Sequence, residues 1–135
     1  MFRIMGRPPD EDLNRFFGEH KQSRRIFDAL ASAVQNAGPI DIRVSKSQVA
    51  FWRDRPFAWA WLPEQYLKRT AAPLVLTVGL RRRDSSTRWK QVVEPASGRF
   101  THHLELESVS DIDSEVAGWL KEAWDLAGPS DRGTT

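Results

Sequence analysis

Three clusters carry residue types that could do chemistry. The first is the turn Ser45-Lys46-Ser47, where two hydroxyls, an ammonium and backbone amides gather. Such a set suits a phosphate or carboxylate. It lacks the glycines and the following helix of a phosphate loop. A serine and lysine adjacent along the chain also do not have the geometry of a serine–lysine nucleophile. The competing reading is a plain strand-to-strand turn.

The second cluster is His102-His103. Neighbouring strand residues point to opposite faces, so the pair cannot chelate one ion. His20 is the only other histidine, and a His-x-x-x-His spacing is missing; no metal site is predicted. Taken singly, His102 shares its face with Phe100, Leu104 and Leu106 and is expected to be at least half buried. His103 shares its face with Thr101 and Glu105, and Glu105 is placed to orient it or raise its pKa.

The third cluster is basic and aromatic. Arg81-Arg82-Arg83 with Arg88 and Lys90 reads as a phosphate-backbone contact or as a solvated loop that guards a sheet edge. The chain has six tryptophans. Trp59 and Trp61 alternate onto one strand face, where they would stack an aromatic ligand or fill a core. Trp89, beside Lys90, offers a stacking surface. Paired carboxylates, a dinucleotide fingerprint and a Ser-His-Asp order do not stand out. The sequence therefore points away from an enzyme and predicts no cofactor.

The elements that must position these residues follow from periodicity. Leu13, Phe16 and Phe17 mark a short helix that Asp10 can cap. Phe27, Leu30, Val34 and Ala37 line a longer one over 21–37, ended by Gly38-Pro39. The period then drops to two, predicting strands at 40–45, 48–53, 57–62, 74–80, 89–94 and 100–106. In the third, Phe57, Trp59 and Trp61 oppose Ala58, Ala60 and Leu62, which predicts a central strand covered on both sides with both tryptophans buried. Pro63 to Pro73 is a loop. Residues 81–87 read as a hairpin loop, and Pro95 as a strand stop. Ser110 is the expected N-cap of a last helix over 111–127, whose stripe includes Val116, Trp119, Leu120 and Ala123.

Two helices, six strands and a helix predict an α+β fold. It is an antiparallel meander sheet with two N-terminal helices and one C-terminal helix packed on it. With 135 residues, 40% of them apolar, the chain is expected to form one domain over 1–128 with a disordered tail, 129–135. No apolar run approaches the roughly 20 residues of a membrane span. Cysteine is absent, which excludes disulfide and thiolate-metal chemistry, and no signal peptide is read at the start; the expected location is the cytoplasm. Charge is segregated: net 0 over 1–42, +8 over 43–99 and −6 over 100–135. Either the basic middle meets an acidic partner such as nucleic acid, or the acidic C-terminal element folds against it.

Several segments resemble a bacterial family of small proteins known as a domain of unknown function, with relatives labelled predicted transport proteins. They are Arg43 to Phe51, Phe57-Ala58-Trp59, Pro73 to Leu76, Arg88 to Pro95 and His102 to Leu106. The resemblance spans about residues 24–127 and extends more distantly to YdhG-like α+β proteins. It implies a cytosolic α+β domain with a curved antiparallel sheet and transfers no catalytic or binding residue. The family's recurrent polar positions correspond to Lys46, Ser47, Trp89, Lys90 and His102.

The resulting expectation is a small domain that binds an anionic or aromatic ligand. Lys46, Ser47, Trp89, Lys90, His102 and His103 are its candidate site, converging near one end of the sheet. Nucleic-acid association through 43–99 and a protein-interaction module, monomeric or dimeric through an edge strand, are the alternatives.

Overall fold

A computed structural model describes residues 10–63 and 72–129. Helix α1 spans Asp10–Phe17 and α2 spans Lys21–Ala37. Asp10, Glu11 and Asp12 fill the first turn of α1, where the helix dipole favours negative charge. Leu13 and Phe17, one turn apart, are its buried pair. In α2, Ile26, Phe27, Leu30, Ala31 and Val34 form the buried stripe. Gly38 ends α2 at φ +154°, and a Cβ there would fall inside the Trp124 indole. The close approach lets the Trp124 Nε1–H donate to the Pro39 carbonyl at 3.0 Å.

Six strands follow: β1 (Asp41–Val44), β2 (Val49–Trp52), β3 (Pro56–Trp61), β4 (Leu74–Leu80), β5 (Gln91–Ala96) and β6 (Arg99–Leu106). A short 3-10 turn at Val109–Asp111 leads into α3, Ser114–Leu126. The α+β class, the antiparallel pairing and the placement of helices along the chain agree with the sequence reading. The meander holds through β4, but the spatial order is β1-β2-β3-β4-β6-β5. Residues 81–90 are therefore a crossover past β6 rather than a hairpin. The apolar β4 gains more from β6, whose Leu104 and Leu106 are buried, than from the polar β5. Pro95 lies inside β5 rather than stopping it, at a register irregularity between Val93 and Ala96. A residue with no N–H to donate suits an outer strand.

The register sets two faces. Ile42, Phe51, Ala58, Val78 and His102 align in one row across the strands. This face joins the α2 and α3 stripes in the core, where Leu30, Leu76, Leu106 and Leu120 are fully buried. The opposite face carries the row Arg43, Ala50, Trp59, Thr77, His103 and Gln91. Contrary to the sequence reading, Trp59 and Trp61 are only half buried. The reason is steric. Ala58 and Ala60 give the helices a flat floor, and the bulk between the layers comes from Phe27, Trp119 and Leu120. Indoles on that side would hold the helices away.

Helix α3 starts later than expected. Asp113, not Ser110, is the N-cap and accepts from the Val116 amide at 3.1 Å. The capping box is one turn earlier, formed by Ser108 and Asp111 around the 3-10 turn. No helix among the described residues is long and apolar enough to cross a membrane. The expected disordered tail falls, after Pro129, outside the described residues, as does most of the loop after Pro63.

Candidate functional site

The two histidines do part to opposite faces. His102 is fully buried on the core face, with its ring 4.8 Å from that of Trp89. Its Nε2 accepts the Asp84 backbone N–H at 3.0 Å, which places the proton of the neutral ring on Nδ1. Nδ1 is buried without an aligned partner. Burial lowers the His102 pKa, and nearby carbonyls of Val78 and Phe100 oppose that shift only in part.

Asp84 organises the crossover around this imidazole. Its carboxylate accepts from Trp89 Nε1 at 2.8 Å, the Ser86 amide at 3.1 Å and Arg82 Nη1 at 2.7 Å. Burial alone would raise its pKa, but the bonds from Trp89, Ser86 and Arg82 together hold it at about 2. Arg82 also forks onto both Glu122 oxygens of α3 at 2.9 Å. Arg88 reaches Asp113 at 3.0 Å and Glu115 at 2.8 Å. Both guanidinium groups are held in their charged form by these acids. Acids of α3 thus fold against two arginines of the basic middle. Trp89 is buried and lies 4.1 Å from Trp119, ring to ring. Trp89 and His102 therefore belong to a packed latch inside the core.

Lys46 and Lys90 are exposed, and their side chains contact other residues than the latch. Lys46 lines a hollow of about 470 Å³ with Asp12, Arg15 and Phe16, beside α1. Its neighbour Ser45 closes the turn, donating its hydroxyl to the Gln48 carbonyl at 3.0 Å. Lys90 Nζ lies 3.7 Å from Glu105. Glu105 thus meets Lys90, and contrary to the sequence reading it does not raise the His103 pKa, which burial lowers.

Ser47 and His103 are brought together. With Gln48, Trp59, Trp61, Thr77 and Thr101 they line a depression of about 380 Å³ on the sheet face opposite the helices. Thr77, polar in the most apolar strand, is its floor and is 7% exposed. The Thr77 hydroxyl lies 2.8 Å from His103 Nδ1 and receives the Trp61 Nε1–H at 3.3 Å. The assignment that uses each donor once has Thr77 donating to Nδ1, so the His103 proton sits on Nε2. Burial, and next the neighbouring His102, lowers the His103 pKa; the ring is neutral at pH 7.

Beside this depression is a second hollow, of about 220 Å³, at the end of the sheet against the last turn of α3. Trp59 and Thr101 line both hollows. The second adds Arg55, Arg81 and Arg99 around Phe57, Leu80 and Phe100. Of the candidate set predicted from sequence, Ser47 and His103 meet in the first depression, Trp89 and His102 meet in the core, and the Lys46 and Lys90 side chains contact neither pair. Sequence reasoning missed Thr77, whose lone hydroxyl in Leu74–Leu80 was a readable signal. It also missed Arg99, whose significance depends on the β4–β6 pairing.

No curated protein and no solved structure matches the chain. A family model matches residues 14–127, from within α1 to the end of α3, and its description is a domain of unknown function. The chain belongs to that family, DUF5655.

Proposed function

We propose that the sheet face opposite the helices binds a small planar ligand, without a catalytic step, through Trp59, Trp61, Thr77 and His103. The observation that carries this reading is the pairing of two half-buried indoles with a polar floor in one depression of about 380 Å³. Ligand sites combine apolar walls with a few placed polar groups, and an indole face stacks a planar ring at roughly 1–3 kcal/mol per base. Ser47 and Gln48 at the rim add polar contacts. The alternative of nucleic-acid association draws less support, because Arg82 and Arg88 are committed to α3. A dimer through β5 draws less as well, because Pro95 and the register irregularity interrupt that edge.

The test is tryptophan fluorescence titrated with a nucleoside such as adenosine, repeated on Trp59→Ala and His103→Ala. Saturable quenching in the wild type, weakened at least fivefold in both variants, is expected. Equal quenching in all three proteins, or none in the wild type, rejects the reading.

A further inference from the structure

From the second hollow we infer that Arg81 and Arg99 form an anion-binding pair, which holds a phosphate or carboxylate attached to the planar ligand. This rests on the reading of the aromatic face given above and extends it to the class of ligand.

The register makes the case. Strands β4 and β6 pair Gly79 with Thr101 and Leu80 with Phe100. Arg81 follows directly on Leu80 and Arg99 directly precedes Phe100, so the two stand at the same end of the β4–β6 ladder, and both line the second hollow. Like charges gathered at one hollow repel each other. Neither guanidinium has a salt bridge or side-chain hydrogen bond among the described residues. Their neighbours Arg82 and Arg88 are neutralised by α3 acids, so the crossover does not lack acids to spend on them. Arg55, the third guanidinium of the hollow, donates to the Leu126 carbonyl at 2.9 Å, which fixes it at the rim. A local rule broken in an otherwise satisfied structure is where function is expected, and an anion between the two guanidiniums relieves the repulsion.

Spacing ties the pair to the aromatic face. The Trp59 indole lies beside Gly79, with Cζ3 3.8 Å from where a Cβ would stand. Arg81 lies one two-residue step along the chain from Gly79, and Arg99 one such step from its partner Thr101, roughly 7 Å at the usual rise. That separation fits a ring and the acidic group of one small molecule. A nucleoside monophosphate has this form; a bare ring or a free anion fills half the site.

The experiment compares adenosine, adenosine monophosphate and inorganic phosphate on the wild type, Arg81→Gln and Arg99→Gln. Both side chains are exposed and make no ion pair among the described residues, so the variants are expected to fold. The monophosphate should quench tryptophan fluorescence with a Kd roughly tenfold or more below that of adenosine, the scale of one charge-assisted hydrogen bond. The difference should vanish in either variant, and adenosine binding should not change. Equal affinity for the two ligands in the wild type overturns the anion pair and leaves the aromatic-face reading standing. If neither ligand quenches, the aromatic-face reading fails, and phosphate alone decides the pair. Phosphate raising the Tm of the wild type but not of Arg99→Gln supports the pair, and an equal effect on both overturns it. Binding of a single-stranded oligonucleotide with none of the mononucleotide also overturns it.

Discussion

Replacing Asp84 with asparagine tests the latch that carries the chain from β4 past β6. The carboxylate accepts three hydrogen bonds, from an indole, an amide and a guanidinium, at 2.7–3.1 Å. They hold its pKa at about 2 against an ordinary 3.8, and its side chain is only 12% exposed. A pKa depressed in the folded state means the ionised form favours folding. That contribution is fully present above 3.8 and fades as pH falls towards 2. At 1.36 kcal/mol per pH unit, the shift corresponds to about 2 kcal/mol. Asparagine keeps the shape and one acceptor but loses the charge. Its amide nitrogen is then set against a donor that had faced a carboxylate oxygen. Urea unfolding at pH 7 should show Asp84→Asn less stable by about 2 kcal/mol, with the gap to wild type narrowing below pH 4. A gap that is the same at pH 7 and pH 3, or smaller than about 0.5 kcal/mol at pH 7, refutes the assignment, since exposed pairs commonly contribute that little.

Trp119→Ala removes an indole packed on Trp89 and should cost about 3–5 kcal/mol in urea unfolding; an unchanged midpoint would refute the helix-on-sheet packing. Gly38→Ala must move both a positive-φ backbone and the Trp124 ring, so a loss of about 1–3 kcal/mol is expected, read from Tm. Ser23→Ala breaks a part-buried 2.6 Å bond to the Pro73 carbonyl, and should cost about 1–2 kcal/mol by leaving that acceptor unsatisfied. Burial lowers the pKa of His102 and His103, so the folded protein resists protons that the unfolded chain accepts. Stability should therefore decline as pH falls through about 6.5. A flat profile between pH 7.5 and 5 would contradict two neutral folded imidazoles.

Local pattern determined the elements. The switch from a period of 3.6 to a period of 2 after Gly38-Pro39 gave the helices and six strands, and the run Leu74–Leu80 is β4 residue for residue. Alternation also separated His102 from His103, because opposite pointing in a strand is a property of the backbone itself. Tertiary structure decided what depends on distant partners. Which side of β3 the helices cover was set by the fit of bulky α2 and α3 residues onto Ala58 and Ala60, and alternation alone is symmetric between two faces. The placement of β6 between β4 and β5 depended on which strand could satisfy an apolar edge, a competition between segments that no local window contains. That placement brings Arg81 and Arg99 to one end of the β4–β6 ladder and sets Thr77 against His103. Lys46 and Trp89 neighbour these residues along the chain, but their side chains go elsewhere, Lys46 to the hollow beside α1 and Trp89 onto His102 and Trp119 in the core. The residues of a site on a sheet face are collected by strand pairing, and pairing is a long-range contact that spacing along the chain does not encode.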